Sequence, residues 1–186
     1  MSGDAEALAT LGVLRRIGSE YKAGPAIELA QELLEQGQQV VIFTEFLESA
    51  HQISAALGGE LLTGETPTDE RQALVDRFQA GRSKVFTGTI RAGGVGITLT
   101  AASYVILVDR PWTPGDAEQA EDRCNRIGQT QTVNALWLQY GQIDSAIDTL
   151  LQQKSDRIEL VLKGKRKTLR GLGSPAELAK ELLEIL

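Results

Sequence analysis

Apolar and polar positions follow two recurring patterns along this chain. Short runs of Val, Ile, Phe and Leu, at residues 40–43, 60–62, 84–86, 104–108 and 133–138, are apolar at nearly consecutive positions. Such runs predict strands buried on both faces rather than strands with one wet side. Between them, apolar residues recur every three or four positions. Ile27, Leu29, Ala30, Leu33 and Leu34 do so over 25–36, Leu47, Ala50, Ile53 and Leu57 over 46–57, and Leu74, Val75 and Phe78 over 68–79. That spacing lines one face of a helix. Thr68 stands as the cap of the third helix, with Arg71 where a capping box would carry Glu or Gln. Alternation of buried strand and amphipathic helix predicts an α/β fold, a three-layer α/β/α arrangement around a mostly parallel sheet.

The pattern changes past residue 140. Residues 143–162 read as one long helix with no strand after it, and Gly164 with the basic run Lys163, Lys165, Arg166, Lys167 and Arg170 interrupts it. Ser174-Pro175-Ala176-Glu177 then opens a second helix, with Ser as cap, Pro in the first turn and Glu completing a capping box. The expected organisation is a core domain over 1–140 and C-terminal packing helices with a basic linker over 141–186.

Composition narrows the class. A chain of 186 residues with 42% hydrophobic content can build one sizeable core. No apolar run approaches the ~20 residues that span a bilayer, and the first residues carry no signal-peptide pattern, so no membrane partner is expected. A single cysteine, Cys124, excludes an internal disulfide and fits a reducing, intracellular setting. No Cys/His cluster suggests a metal site. The formal net charge of -6 argues against a dedicated nucleic-acid binder, but the charge is unevenly spread. Acids crowd the outer helices (Glu28, Glu32, Glu35, Glu177, Glu181, Glu184) while bases crowd the 163–170 run, so a local positive face on an acidic body is expected. His51, the lone histidine, has no G-x-S-x-G partner, and Cys124 reads as a small packing residue rather than a nucleophile.

Two stretches carry chemistry. Residues 119–129 place Arg123 and Arg126 three apart on what reads as one helix face and end it at Gly128. Arginine suits phosphate because its planar fork donates several hydrogen bonds and stays charged. Residues 87–100 follow a strand with Gly88, Gly93, Gly94 and Gly96, which let the backbone approach a ligand, and with the hydroxyls of Thr87, Thr89 and Thr98. A glycine-rich stretch past the carboxyl end of a parallel strand is where open α/β sheets bind ligands, though a tight strand–helix turn needs glycine as well.

These residues resemble the helicase motifs of the Swi/Snf-type DNA-dependent ATPases. Residues 119–129 match motif VI, Q-A-x-D-R-x-H-R-I-G-Q, except at Asn125, where the family usually has histidine. Residues 89–96 resemble motif V, and Val41-Ile42-Phe43-Thr44-Glu45-Phe46 resembles V-I-F-S-Q-F of motif IV. The segment Leu62 to Pro67, with Glu70-Arg71-Gln72 and Arg77-Phe78, resembles the L-D-G-x-T-P…E-R-Q…R-F block, with Thr63 where aspartate is common. Asp109 to Gly115, with Trp112, resembles D-x-x-W-N-P. The resemblance implies the second of two RecA-like lobes. It implies that Arg123 and Arg126 are arginine fingers to the γ-phosphate of ATP, positioned by Gln119 and Asp122, with Gly94 and Gly96 also near the nucleotide. It places Thr44, Thr63, Gly64, Thr87, Thr89, Arg91 and Trp112 along DNA. Trp112 could equally pack its own loop, and Thr44 could serve as a helix cap. Lys22 stands where the family often has lysine but otherwise reads as a surface residue. Neither a G-x-x-x-x-G-K-S/T loop nor a magnesium-holding acidic pair is present. The resemblance therefore implies that ATP with Mg is bound mainly by an N-terminal RecA-like lobe of the same parent, with double-stranded DNA as the other partner. A non-catalytic binding module on the same fold and an RNA-dependent helicase lobe are the alternatives.

Overall fold

The structure is a computed structural model and describes residues 2–93, 97–111, 119, 122–126, 128–141 and 144–145. Its elements are α1 (Ser2–Glu35), β1 (Val40–Thr44), α2 (Leu47–Leu57), β2 (Glu60–Leu62), α3 (Thr68–Gln79), β3 (Val85–Thr89), α4 (Ile90–Gly93), β4 (Tyr104–Leu107) and β5 (Asn134–Trp137). The strands form one sheet in the order β2-β3-β1-β4-β5, and all four pairings are parallel. The five apolar runs hold the five strands, four of them with ends shifted by a residue at most, but β3 runs on to Thr89, three residues past its expected end, so Thr87, Gly88 and Thr89 belong to the strand and not to the stretch after it. The predicted organisation beyond residue 140, including the helices and the basic run, lies almost wholly outside the described residues.

Two apolar clusters sandwich the sheet. Alternate residues of β1 separate cleanly between them, as the two-residue strand period requires. Val40 and Ile42 pack with Ala23, Ala26, Ala30 and Leu33 of α1 and Ile53 of α2. Val41 and Phe43 pack with Val75 and Phe78 of α3, Phe86 of β3, Leu99 and Cys124. Helices thus cover both faces, as the unbroken apolar strands predict. Gly88 lies in register with Phe43 and with Leu62. A Cβ there would sit 3.2 Å from the Leu62 carbonyl and 3.3 Å from the Phe43 ring, so the bare backbone of β3 makes room for that ring.

Two helix starts differ from expectation. α1 begins at Ser2, not at residue 25, and contains Pro25. A proline inside a helix removes one hydrogen bond and costs ~3 kcal/mol or more, so tertiary contacts must hold the N-terminal half. Its inward positions are Ala7, Leu11, Arg15, Ser19 and Lys22, all buried at helical spacing. Three of the five are polar, which hid the helix from an apolar-period reading. In α3, Pro67 occupies the cap position without a side-chain bond, and Thr68 is already helical.

Candidate functional site

Parallel strands deliver their following loops to one edge, and here the carboxyl ends of β1, β2 and β3 form an open groove of about 350 Å³. It is lined by Glu45 and Leu47 after β1, Gly64, Glu65 and Arg71 after β2, and Thr89, Arg91 and Ala92 at the end of β3. Three residues expected along DNA, Gly64, Thr89 and Arg91, therefore meet in one place. Gly64 and Arg91 are exposed, while Thr89 is nearly buried. Local hydrogen bonds fix the β2–α3 loop. Thr66 Oγ1 accepts from Thr63 N at 3.0 Å, and Thr63 Oγ1 accepts from Glu65 N at 3.2 Å. Arg71 donates from Nε to the Thr66 carbonyl at 3.0 Å and from Nη2 to the Thr63 carbonyl at 3.4 Å. Thr63 itself is buried, so it shapes the loop and presents Gly64. Arg77 secures the other end of β2 with a bidentate pair to Glu60 at 3.0 and 2.6 Å. That hydrogen bonding outweighs partial desolvation and raises the Arg77 pKa above its ordinary value.

Thr44 and Thr87 do not reach this surface. Thr87 lies inside β3, fully buried, in register with Ile42 and Leu61. Thr44 is fully buried, and its hydroxyl donates to Asp109 Oδ2 at 2.6 Å while accepting from Phe46 N at 3.2 Å. It holds the entry to α2 from just before the first helical turn.

Asp109 organises a second constellation at the same sheet edge. Its Oδ2 also accepts from Ser19 Oγ at 2.8 Å and from Glu45 N at 2.9 Å, while Oδ1 lies 3.2 Å from Lys22 Nζ. Lys22 Nζ continues to both oxygens of Asp144 at 3.1 and 3.0 Å, and Asp144 Oδ2 accepts from Tyr140 N at 2.7 Å. Ser19 Oγ reaches Ser49 Oγ at 2.8 Å. Arg15 pairs with Glu45 and donates to the Arg110 carbonyl. Lys22 is 4% exposed, so it is a buried ion-pair centre and not the surface lysine its sequence context suggested. The reading of the sequence missed this group. The signal was a polar stripe, Arg15, Ser19 and Lys22, at helical spacing on α1.

The two motif VI arginines part company. The described residues from Asp122 to Arg126 form turns and bends rather than a continuous helix. Arg123 is 2% exposed, and its backbone carbonyl accepts from Leu99 N at 2.9 Å. Burial, then the nearby Arg126, lowers the Arg123 pKa, with Asp122 opposing. Arg126 is half-buried, and its Nη1 lies 3.4 Å from Thr98 Oγ1, joining this segment to the end of the glycine stretch. Gln119 and Asp122 are exposed. Gly128 adopts φ 105°, a conformation glycine accepts readily, so the segment does turn where the sequence places its stop. Gln129 Nε2 then clamps the Ala102 carbonyl at 2.8 Å. Cys124 is buried and its pKa is pushed up to about 12 by that burial, so it packs as a protonated thiol. Gly94, Gly96 and Trp112 lie outside the described residues. Among the described residues, no group of three His, Cys, Asp or Glu is placed to hold a metal ion, and no helix is long and apolar enough to cross a membrane.

The helicase conserved C-terminal domain family matches residues 25–128, more than half of the chain. The DNA annealing helicase and endonuclease ZRANB3 of Mus musculus is 38% identical over 111 residues, 59% of this chain and 10% of that protein. The solved C-terminal part of the Fun30 ATPase domain matches with a TM-score of 0.68 at 27% identity, over 88% of this chain and 52% of that one. The SWI2/SNF2 ATPase core domain of Sulfolobus solfataricus matches with a TM-score of 0.66 at 32% identity, over 81% of this chain and 35% of that one. The chain spans 16% or less of the length of the curated relatives it matches here. The parallel sheet, the groove residues at its carboxyl edge and these likenesses lead to one conclusion: the chain belongs to the helicase conserved C-terminal domain family, as a second RecA-like lobe of the Swi/Snf type.

Proposed function

We propose that this lobe is half of an ATP-dependent motor that moves along double-stranded DNA, working against an N-terminal RecA-like lobe of the same parent. The observation that carries the reading is the groove at the carboxyl ends of β1, β2 and β3. It brings Gly64, Thr89 and Arg91 to one surface beside an Arg71 clamped by loop carbonyls. Exposed backbone at Gly64, the Thr89 hydroxyl and the Arg91 guanidinium suit a phosphate backbone, which is read through charge and hydrogen bonds without reference to base sequence.

The nucleotide side rests on Arg126. Its guanidinium is half-buried and engages Thr98 only at 3.4 Å, which suits a further acceptor brought by another lobe. ATP with magnesium, held mainly by that other lobe, supplies the phosphoryl group whose charge such an arginine stabilises. Arg126 is then the finger, and exposed Asp122 and Gln119 orient it. Arg123, expected as a second finger, is enclosed and acts by holding the Asp122–Arg126 turn against Leu99.

The test is ATP turnover by the two-lobe parent with duplex DNA, with RNA and with neither. Arg126→Ala should lower DNA-stimulated turnover by ~10³–10⁵, the usual worth of an arginine finger, with duplex binding largely kept. Turnover equal to the parent removes the finger assignment. Stimulation by RNA in preference to duplex DNA replaces the DNA track with an RNA-dependent helicase lobe.

A further inference from the structure

The groove has an unfavourable charge count for its proposed ligand. Its ionisable lining residues are Glu45, Glu65, Arg71 and Arg91, two acids against two bases. A polyanion gains little from a surface that sums to zero. Glu45 is the more consequential acid, because its backbone N is fixed on Asp109 and its side chain, 15% exposed, stands on the groove wall. Its neighbour is Arg15, whose side chain is 6% exposed. The Arg15 Nη2 donates to Glu45 Oε2 and to the Arg110 carbonyl, and the guanidinium carbon lies 5.9 Å from the centre of the Phe46 ring. One planar cation therefore joins α1, the start of α2 and the exit from β4, and it does so from behind the groove wall.

We propose that Arg15 is a charge-compensating residue of the groove, cancelling the Glu45 carboxylate so that a DNA phosphate backbone can lie against Arg91 and Gly64. The inference rests on the reading of the groove as a DNA track. Arg15 itself meets no phosphate. It acts through Glu45 and is a positioning residue. Counting it turns the local sum from zero to one positive charge. The compensating residue comes from the N-terminal half of α1, ahead of the 25–128 span matched by the family.

The experiment is duplex affinity of the two-lobe parent, read by fluorescence anisotropy with a fluorescein-labelled DNA duplex at low and high salt. Arg15→Ala is expected to weaken binding about tenfold at low salt and less at high salt, because screening shortens the reach of the uncancelled Glu45 charge. Adding Glu45→Gln to that variant is expected to restore most of the affinity. A purely structural brace would not be rescued by removing the carboxylate. Parent-like affinity in Arg15→Ala overturns the inference, as does a loss that Glu45→Gln fails to restore. Arg91→Ala is measured alongside it. If Arg91→Ala binds like the parent, the DNA-track reading falls and the inference with it. If Arg91→Ala weakens binding and Arg15→Ala does not, only the inference falls. Should Arg15→Ala fail to fold, Arg15→Lys carries the test. It keeps the charge, so affinity within about threefold of the parent supports compensation and a tenfold loss overturns it.

Discussion

Two stretches of the same sheet edge show opposite uses of the same position. Where β1, β2 and β3 end, the loops stay open, and Gly64, Thr89 and Arg91 line a groove beside a fixed Arg71. Where β1 and β4 end, Thr44 and Asp109 are closed over by Ser19 and Lys22 of α1, and Asp144 seals the far side. Both stretches are rich in hydroxyls and charges, and both follow parallel strands. What separates them is the turn of α1 that carries Ser19 and Lys22. A covering helix turns strand-end polar groups inward, where every donor and acceptor must find a partner. An uncovered edge leaves them for a ligand. The carboxyl end of a parallel strand therefore marks a candidate site, and only the neighbouring helix decides whether it becomes one.

The closed side depends most on one side chain. Lys22 is one buried cation shared between Asp109 and Asp144. Lys22→Met leaves two buried carboxylates without it, and removing one partner from such a group destabilises by about 3–5 kcal/mol. Urea denaturation should show a loss of that order, while the fraction still folded should bind duplex DNA like the parent. An unchanged denaturation midpoint would mean that the cluster is solvated and that the two sides are alike.

Thr44→Val sharpens the same contrast at smaller cost. It keeps the shape and removes one donor to Asp109, which retains those from Ser19, Glu45 N and Lys22. A stability loss of roughly 1–3 kcal/mol is expected, with duplex affinity unaltered. The reverse outcome, weaker DNA binding at parental stability, would return Thr44 to the DNA track.

The sheet was legible because β1, β3 and most of β4 are buried on both faces, so their apolar runs give their position; β5, with Asn134 exposed and the rest half-buried, still shows as an apolar run. The helices at 46–57 and 68–79 were legible for the matching reason, a clean apolar stripe. The first half of α1 was not. Its inward stripe is Arg15, Ser19 and Lys22, and the Gly24-Pro25 pair looks like a stop. The open groove was largely legible, since Gly64, Thr89 and Arg91 need only follow their strands to meet. The placement of Thr44 and Thr87 was not, because sequence shows that a hydroxyl sits at a strand end without showing what covers it. For the same reason the pair Arg123 and Arg126 read as equivalent. A turn in place of a helix sends one inward and leaves the other at the surface.

On the open side, Arg91→Ala tests the contrast from the other direction. Replacing an exposed arginine on the groove rim should cost stability less than about 0.5 kcal/mol. Duplex affinity should fall at every DNA sequence alike. The slope of log affinity against log salt should become shallower by roughly one unit, the amount expected when one phosphate is no longer neutralised. Lower stability without a change in slope would make Arg91 a structural residue and leave the groove without its principal cation.

Thr87 is the limiting case of a buried hydroxyl, and its effect on stability should be smaller than that of Thr44. It sits in β3 with no exposure, in register between Ile42 and Leu61, and among the described residues its Oγ1 has no hydrogen-bond partner. Burying a hydroxyl unpartnered is unfavourable, whereas valine has the same branching, suits a strand and presents a methyl in its place. Thr87→Val should therefore raise stability, by about 1 kcal/mol or less, where Thr44→Val lowers it. Two threonines on neighbouring strands, both expected to touch DNA, would then respond with opposite sign, because one hydroxyl is bonded and the other has no partner among the described residues. Urea midpoints of the two variants decide it. A destabilised Thr87→Val would show that its hydroxyl is bonded in solution, and weaker duplex binding at parental stability would show that β3 opens far enough to present it.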